Sequence, residues 1–303
     1  MKKEAIQISF ILVPPRLPDR LSNFVLDFRF LGRIRLNDRV FGPGSILGSR
    51  YAGGKYSLRE RRITVQQLLE HTAGGTTWNN QNKGGIISDP MFIRNNLNHE
   101  QLIKYILQTR DPSHYPGRIF SYSNFGYAIL GRIIEKVTRM PYEKYVKKHI
   151  LNPMKAYQFY VGGNTLAQRR YWETIYYQKY AYSMNVRRLD SSGGWITRPI
   201  DLVRFMVHVD GFKSVRDKLK KSTIKSMVKP SKRNKNYAKG WSVNRANNWW
   251  HGGSLPGTMT ILVRTRSGYT WSFMCNRRGS GNIDRLMWQI VNGVKKWPKV
   301  NFF

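Results

Sequence analysis

The sequence predicts a fold of the α/β class in its α+β form, with an antiparallel sheet flanked by helices and a mostly helical lobe. Apolar residues recur at helical spacing in the middle of the chain, over residues 98–150. The last third instead places short apolar runs between turn residues, a pattern typical of antiparallel strands. The 303 residues, of which 41% are hydrophobic, are enough to form one large domain with a buried core.

Capping residues predict where the helices begin. Thr64 followed by Gln67 forms a capping box that opens a short helix ending at His71. Asn98 caps a second helix, and a third covers residues 126–137. The faces predicted to be buried carry Leu102, Ile103, Ile106 and Leu107 in one helix and Ile129, Leu130, Ile133 and Ile134 in the other. Further helices are predicted over residues 142–150 and 201–209.

The strands are predicted near the end of the chain. One covers residues 240–244, and a hairpin joins residues 259–264 to residues 269–274 around a turn at Arg266-Ser267-Gly268. Asn282 then caps a closing helix. The face of that helix predicted to be buried carries Leu286, Ile290, Val291 and Val294.

One segment has no clear period. Residues 157–190 are rich in Tyr, Trp and Arg. Such a mixture can stack nucleobases, but packing within a helical lobe is the favoured interpretation.

The motif Tyr122-Ser123-Asn124 stands at the start of the third helix. In an extended lead-in, Tyr122 and Asn124 would point to the same side of the backbone. A phenol can move a proton there, and a carboxamide can orient a carbonyl or an amide. An isolated motif of this kind usually only caps a helix. The functional interpretation gains weight from a second motif, His251-Gly252-Gly253-Ser254, near the end of the chain.

With these two motifs the chain resembles the serine β-lactamase and penicillin-binding-protein superfamily, on the side of the class C-like esterases and D-aminopeptidases. That family carries three signatures: Ser-x-x-Lys, Tyr-x-Asn, and Lys/His-x-Gly on a central strand. Residues 122–124 match the second signature and residues 251–253 match the third. Further matches lie at residues 63–74 and 191–195, so the resemblance covers residues 31–297 in unbroken order. It implies a β-lactamase-like fold.

The resemblance also implies roles for the site residues. Tyr122 would share or relay a proton and later protonate the leaving group, and Asn124 would hold the substrate amide or orient the lysine. His251 would take the place of the lysine of the lactamases, which favours esterase or peptidase chemistry. Gly252 and Gly253 would let the strand approach the substrate, and the Ser254 N–H would form half of an oxyanion hole. His71 would be structural, holding the loop beneath the site.

The first signature is absent from the place where the family carries it, upstream of residue 31. The string Ser-x-x-Lys occurs only at residues 222–225 and 226–229. Both lie where the family has a peripheral helix, out of reach of Tyr122 and His251, so we interpret both as coincidental. Residues 1–30 are therefore left unassigned, and residues 31–303 are predicted to form a single β-lactamase-related domain.

The charge of the chain is strongly unbalanced, with 52 Lys and Arg against 17 Asp and Glu, a formal +35. Its densest run covers residues 213–235, where ten Lys and Arg stand against the single Asp217. Such a field attracts nucleic acid, anionic lipid or acidic glycans without distinguishing them. Most of this charge is interpreted as solvated surface, and non-specific polyanion binding is kept as an alternative.

Other features limit the function classes. The single Cys275 excludes an intrachain disulfide and a cysteine-rich zinc site, and no metal or cofactor is predicted. No apolar run reaches the roughly 18 residues that a membrane span needs. The start of the chain does not make a convincing signal peptide, which leans the prediction towards the cytoplasm.

Two function hypotheses follow. In the first, the protein is a β-lactamase-related serine hydrolase that cleaves a small ester, amide or D-peptide through an acyl-enzyme, inactive as written because the nucleophile is missing. In the second, it is a non-catalytic pseudoenzyme that binds small ligands or polyanions.

Overall fold

Two antiparallel sheets lie beside a group of helices in a computed structural model of the chain, which describes residues 4–6, 34–51, 55–78, 89–279 and 283–294. The strands are β1 (Glu4–Ile6), β2 (Tyr160–Val161), β3 (Trp195–Thr197), β4 (Ser242–Val243), β5 (Trp249–Leu255), β6 (Thr258–Arg264) and β7 (Thr270–Cys275). The α-helices are α1 (Leu58–Arg61), α2 (Val65–Leu69), α3 (His99–Thr109), α4 (Asn124–Thr138), α5 (Tyr142–Val146), α6 (Pro199–Val207), α7 (Lys221–Met227) and α8 (Ile283–Gly293).

The larger sheet has the strand order β4-β5-β6-β7, with every neighbouring pair antiparallel. In its register His251 of β5 lies opposite Leu262 of β6, and Ile261 of β6 lies opposite Phe273 of β7. The smaller sheet has the order β1-β3-β2, and β1 also contacts β5, β6 and β7. The predicted hairpin is confirmed, whereas the strand predicted over residues 240–244 is shortened to β4.

Helix α4 is the centre of the helical part. Ser123 caps it by accepting the Gly126 N–H at 3.1 Å, and its residues from Asn124 to Ile134 are buried. Gly131 allows a close approach, since a Cβ there would lie 2.2 Å from Ser191 Oγ. That hydroxyl donates to the Tyr127 carbonyl at 3.0 Å. A glycine is therefore needed at residue 131 because the turn after residue 190 packs directly on the helix.

The capping predictions at Thr64 and Asn98 are confirmed, whereas the predicted cap Asn282 lies outside the described residues. Thr64 and Gln67 form the capping box of α2, and Asn98 and Gln101 form that of α3. The helix after Thr64 nevertheless ends at Leu69, before His71, which adopts a left-handed φ of 54°. The helix predicted over residues 142–150 is also different: regular α5 ends at Val146, and one π-helical turn continues the chain through Leu151.

One burial prediction was wrong, and a second is confirmed only in part. On α8, Leu286 and Ile290 are 50% and 46% exposed, and Val294, directly after the helix, is 37% exposed. Val291 alone of the predicted face is buried. In residues 157–190, Phe159 and Met184 are buried as expected, but several large side chains are exposed. Those exposed side chains are Tyr157, Leu166, Tyr171, Ile175, Tyr177 and Tyr180. Periodicity shows which residues share a face, but it does not show whether another element covers that face.

Within the described ranges, no helix is both long and apolar enough to cross a membrane.

A buried ion cluster joins α4 to the turn before β3. Arg132 Nη2 lies 2.6 Å from Asp190 Oδ2, and His99 Nε2 lies 3.3 Å from Asp190 Oδ1. Glu135 binds the same guanidinium at 3.0 Å but is 34% exposed. Burial alone would raise the pKa of Asp190, but the charge of Arg132 and the contacts with His99 lower it to about 2.

We predict that Asp190→Asn destabilises the protein at pH 7 by about 2 kcal/mol or more, since it removes a charge that Arg132 stabilises in the folded state. A carboxyl with a depressed folded-state pKa contributes stability above its unfolded pKa, and this is lost as the pH falls from roughly 4 to 2. Urea unfolding of both proteins across this range measures the difference, which should shrink towards pH 2.

Glu135→Gln is the matched control because it removes the more exposed partner of the same guanidinium. It should cost less than about 1 kcal/mol. Equal losses of unfolding free energy in the two variants would show that the buried Arg132–Asp190 pair contributes no more to stability than the more exposed Arg132–Glu135 pair.

Candidate active site

An open cleft of 580 Å³ lies along β5 and faces the start of α4. Tyr122 and Tyr237 line one side, and the strand residues 251–254 line another. The other lining residues are Ser242, Met259, Thr260, Ile261, Arg278, Ile283 and Asp284. The structure therefore brings together five of the six predicted site residues: Tyr122, His251, Gly252, Gly253 and Ser254.

Strand β5 presents its residues alternately. His251 is 6% exposed, whereas Gly252 and Ser254 are exposed on the opposite face of the pleat. A Cβ at Gly252 would come no closer than 3.8 Å to the Thr260 carbonyl oxygen. The protein's own packing therefore does not require a glycine here. Its effect is to leave the backbone of β5 open to the cleft.

Tyr122 and Asn124 are separated by the start of α4. The Tyr122 side chain is half-buried and reaches the cleft, whereas Asn124 is the first helical residue and is 1% exposed. Asn124 does not line the cleft. The sequence placed the two side chains together on the assumption of an extended lead-in, but the helix begins at Asn124 itself.

Asp89 holds Asn124 in its buried position. Its Oδ2 accepts the Asn124 backbone N–H at 2.9 Å and the Asn124 side-chain amide at 3.2 Å. Its Oδ1 accepts the Met91 N–H at 2.8 Å. Burial raises the pKa of Asp89 to about 6, although these N–H donors oppose the rise. Sequence analysis missed this residue; the only signal was an Asp directly before Pro90, which is typical of a helix start.

His71 lies beneath Tyr122. Its ring centroid is 4.1 Å from that of Tyr122, 4.8 Å from that of Tyr127 and 4.9 Å from that of Tyr237. The Ser123 N–H donates to His71 Nδ1 at 3.1 Å, so the proton of a neutral ring sits on Nε2. Nε2 lies 3.0 Å from the Tyr237 hydroxyl and can donate to it. Burial, and then the nearby His251, keep the pKa of His71 well below its usual value.

A chain of hydroxyls continues from His71. The Tyr237 hydroxyl is hydrogen-bonded to Tyr127, and Tyr127 donates to the Leu69 carbonyl at 2.9 Å. Tyr237 was not predicted as a site residue; it lies 166 residues from His71 in sequence. The structural role predicted for His71 agrees with this geometry.

The environment of Tyr122 favours its neutral form. Burial raises the pKa of the phenol, and the charge of Asp89 raises it further. Tyr122 is therefore protonated in the unliganded cleft at neutral pH. Tyr122 can donate a proton or relay one, but it is not deprotonated at neutral pH and so cannot act as a general base without a change in its surroundings.

The two Ser-x-x-Lys strings lie elsewhere. Ser222, Lys225 and Ser226 belong to α7, whose residues Ile224 and Met227 pack into the core. None of these serines or lysines lines the cleft. In the described parts of the chain, no three His, Cys, Asp or Glu side chains are grouped to hold a metal ion.

The chain matches a known protein family and is similar in sequence to several bacterial proteins. The family described as Beta-lactamase matches residues 25–293. Protein flp of Staphylococcus aureus (strain MW2) is 25% identical over 279 residues, which are 86% of this chain and 52% of flp. A putative D-alanyl-D-alanine carboxypeptidase of Salmonella typhimurium is 30% identical over 138 residues, which are 44% of this chain and 29% of that protein. The chain thus spans about half the length of flp.

Solved structures share the fold. A D-stereospecific amidohydrolase from Streptomyces sp. has a TM-score of 0.67 at 23% identity, covering 89% of this chain and 82% of the other. A penicillin binding protein from Bacillus halodurans has a TM-score of 0.69 at 15% identity, covering 97% and 87%. D-amino acid amidase from Ochrobactrum anthropi SV3, complexed with D-phenylalanine, has a TM-score of 0.63 at 18% identity, covering 87% and 85%. The predicted β-lactamase-like fold is confirmed.

We predict that Asp89→Asn removes a pH-dependent loss of stability. The folded-state pKa of Asp89 is about 6, above its unfolded value, so the folded state disfavours the charged carboxylate. The free energy of unfolding of the wild type therefore falls as the pH rises from roughly 4 to 6. The difference in unfolding free energy between variant and wild type should change by on the order of 2–3 kcal/mol across that range. Urea titrations at several pH values measure it.

Asp111→Asn is the control, because Asp111 is an exposed carboxyl that forms a surface ion pair with Arg59. Because a surface ion pair contributes little, its stability difference should vary by less than about 1 kcal/mol over the same range. A flat difference for Asp89→Asn as well would contradict the buried, hydrogen-bonded carboxylate described above.

Proposed function

The chain belongs to the Beta-lactamase family, and from that premise we propose that its cleft is the acyl-transfer site of a β-lactamase-related serine hydrolase. The observation that carries the proposal is that Tyr122 and His251, from elements far apart in sequence, line one cleft. Directly after His251, the backbone of β5 is left open at Gly252. The proposed reaction class is hydrolysis of a small ester, amide or D-peptide.

The proposed roles follow from the geometry and the protonation states. The protonated Tyr122 would donate to the leaving group as the tetrahedral intermediate collapses and would relay protons in deacylation. His251 would complete the proton network or receive a substrate carboxylate. The Ser254 N–H would stabilise the developing oxyanion. Asn124, buried behind the cleft wall on Asp89, would reach the substrate amide only after local movement.

Among the described residues, no serine of a Ser-x-x-Lys string lies at the cleft. Both Ser-x-x-Lys strings lie on or next to α7, and neither lines the cleft. Loss of the nucleophile from an acyl-transfer site typically costs several orders of magnitude in rate. We therefore propose that the chain as printed is inactive or severely impaired, and that it keeps the ligand-binding part of the site.

The names of the structural neighbours favour one substrate class. A D-stereospecific amidohydrolase and a D-amino acid amidase share the fold, and the latter is seen with D-phenylalanine. The histidine at residue 251, in place of a lysine, agrees with amidase, esterase or peptidase chemistry better than with lactamase chemistry. A small amino acid amide is the proposed ligand.

We predict that the purified chain binds D-phenylalanine amide in the millimolar range without hydrolysing it, and that His251→Ala weakens binding about tenfold or more through loss of a partner in the cleft. Calorimetry or NMR titration measures the binding. Intact mass after treatment with an acylating probe should show no stoichiometric adduct, because neither Ser-x-x-Lys serine lines the cleft.

Ser222→Ala and Ser226→Ala are the controls, since both serines lie outside the cleft. Binding that His251→Ala leaves unchanged, or no binding at all, would reject this cleft as the site. A stoichiometric adduct would show that the chain is an active hydrolase after all, and its loss in either control variant would identify a serine of α7 as the nucleophile.

A second candidate function is polyanion binding, and one observation favours it. Of the ten cations at residues 213–235, nine have exposed side chains, while the single acid Asp217 is half-buried and accepts the Gly211 N–H at 3.3 Å. The exposed ones are Lys213, Arg216, Lys220, Lys221, Lys225, Lys229, Lys232, Arg233 and Lys235. Nothing in this segment neutralises the exposed charge, so an anionic polymer would meet an uncompensated row of cations.

We predict that the triple variant Lys221→Gln, Lys225→Gln, Lys229→Gln lowers the salt slope of duplex DNA binding by about 3, since each lysine removed releases one counterion fewer. Binding isotherms over a range of salt concentrations measure the slope.

Lys104→Gln, Lys136→Gln, Lys144→Gln removes the same charge from exposed positions outside the run. An equal loss of slope in the two triple variants would mean that the whole surface, and not residues 213–235, attracts the polyanion.

A further inference from the structure

The tyrosine segment, residues 157–180, exposes an unusual amount of apolar surface. Six of the twelve large hydrophobic side chains that are exposed in the described residues lie in these 24 positions. Tyr171 is 92% exposed, Tyr177 79% and Ile175 63%. Large exposed apolar groups collected in one segment mark an interaction surface more often than single scattered ones do.

The exposed charge of the same segment is entirely positive. Its single acid, Glu173, is 5% exposed and is occupied inside the protein by the Tyr176 hydroxyl at 2.8 Å and the Arg170 N–H at 3.2 Å. Arg170 is exposed, with its guanidinium carbon 4.1 Å from the centre of the Tyr160 ring. Lys147 Nζ lies 3.9 Å from the same ring. Two cations thus meet at one aromatic ring, which favours an anionic partner at this place.

The segment is fixed in place and lies close to the cleft. Gln178 and Arg278 are joined by two hydrogen bonds, of 3.1 and 3.0 Å, and Asn276 donates to the Ile175 carbonyl. Arg278 itself lines the cleft. Residues 174–176 have no helical structure, so Ile175 and Tyr177, two residues apart, are both directed to solvent while Tyr176 turns inward to Tyr182. The exposed groups are therefore held on an anchored strand-like stretch at the edge of the site.

We propose that the tyrosine segment is a docking surface for an anionic lipid bilayer, with Tyr171, Ile175 and Tyr177 entering the headgroup region and Arg170 and Lys147 binding lipid phosphate. Tyrosines beside aliphatic side chains and basic residues are the composition that lies at a membrane–water interface. The aliphatic Ile175 and Leu166 have no ring face on which a nucleobase could stack, so single-stranded nucleic acid fits the segment less well. The net charge of +35 draws the protein to an anionic surface. The proposal does not depend on catalysis.

The test is co-sedimentation of the full chain with vesicles of equal parts phosphatidylglycerol and phosphatidylcholine. The variant Tyr171→Ser, Ile175→Ser, Tyr177→Ser should lower the partition coefficient about tenfold or more, because three apolar side chains no longer enter the interface. The difference should persist at about 0.5 M salt, where the attraction between surface charges is screened. All three side chains are exposed, so the variant should keep the wild-type melting temperature.

The matched control is Leu58→Ser, Tyr115→Ser, Tyr269→Ser, which also removes one aliphatic and two tyrosine side chains that are exposed. It should bind vesicles as the wild type does. Equal binding by wild type and segment variant, or an equal loss in the control, would overturn the proposal. It would also be overturned if the segment variant lost affinity for single-stranded DNA or lost self-association while its vesicle binding stayed intact, because the surface would then serve nucleic acid or a second copy.

Discussion

The hydrogen bond from the Ser123 N–H to His71 Nδ1, at 3.1 Å, is the contact on which the cleft depends. It ties His71, two residues after the end of α2, to Ser123, the cap of α4. The bond therefore couples the position of α2 to that of α4, beside Tyr122. The bond requires a neutral imidazole, because a protonated ring has no acceptor nitrogen. Burial of the ring, which lowers the pKa of His71, therefore maintains the geometry across the neutral pH range.

A second set of hydrogen bonds fixes the segment that holds the start of α4. Arg188 is 2% exposed and donates to the carbonyls of Met91, Ile93, Arg94 and Leu97 at 2.7–2.9 Å. These carbonyls belong to the segment directly after Asp89, whose carboxylate holds Asn124. Burial lowers the pKa of Arg188 to about 10, which still leaves it charged at neutral pH. The position of Asn124 thus depends on a cation that is 64 residues away in sequence.

The features that sequence predicted best were local ones. The capping boxes at Thr64 and Asn98 and the hairpin around residue 266 were predicted correctly, since each is specified by a few adjacent residues. Asp89 and Tyr237 were missed because their roles arise from contacts 35 and 166 residues apart. The exposed face of α8 was mispredicted for a related reason: a periodic pattern carries no information about the neighbour that would cover it.

The protonation state of Tyr122 limits the part that this residue can play in bond cleavage. The Tyr122 hydroxyl is removed from water and lies near the negative charge of Asp89, and both effects raise its pKa and favour the protonated phenol. The charged side chains that line the described cleft are Arg278 and Asp284, with no lysine among them. A phenol in this setting can accept a proton only when a cation is placed beside it. A nucleophile brought to this cleft would therefore not find its base in Tyr122, whereas the Ser-x-x-Lys signature supplies a base in its own lysine.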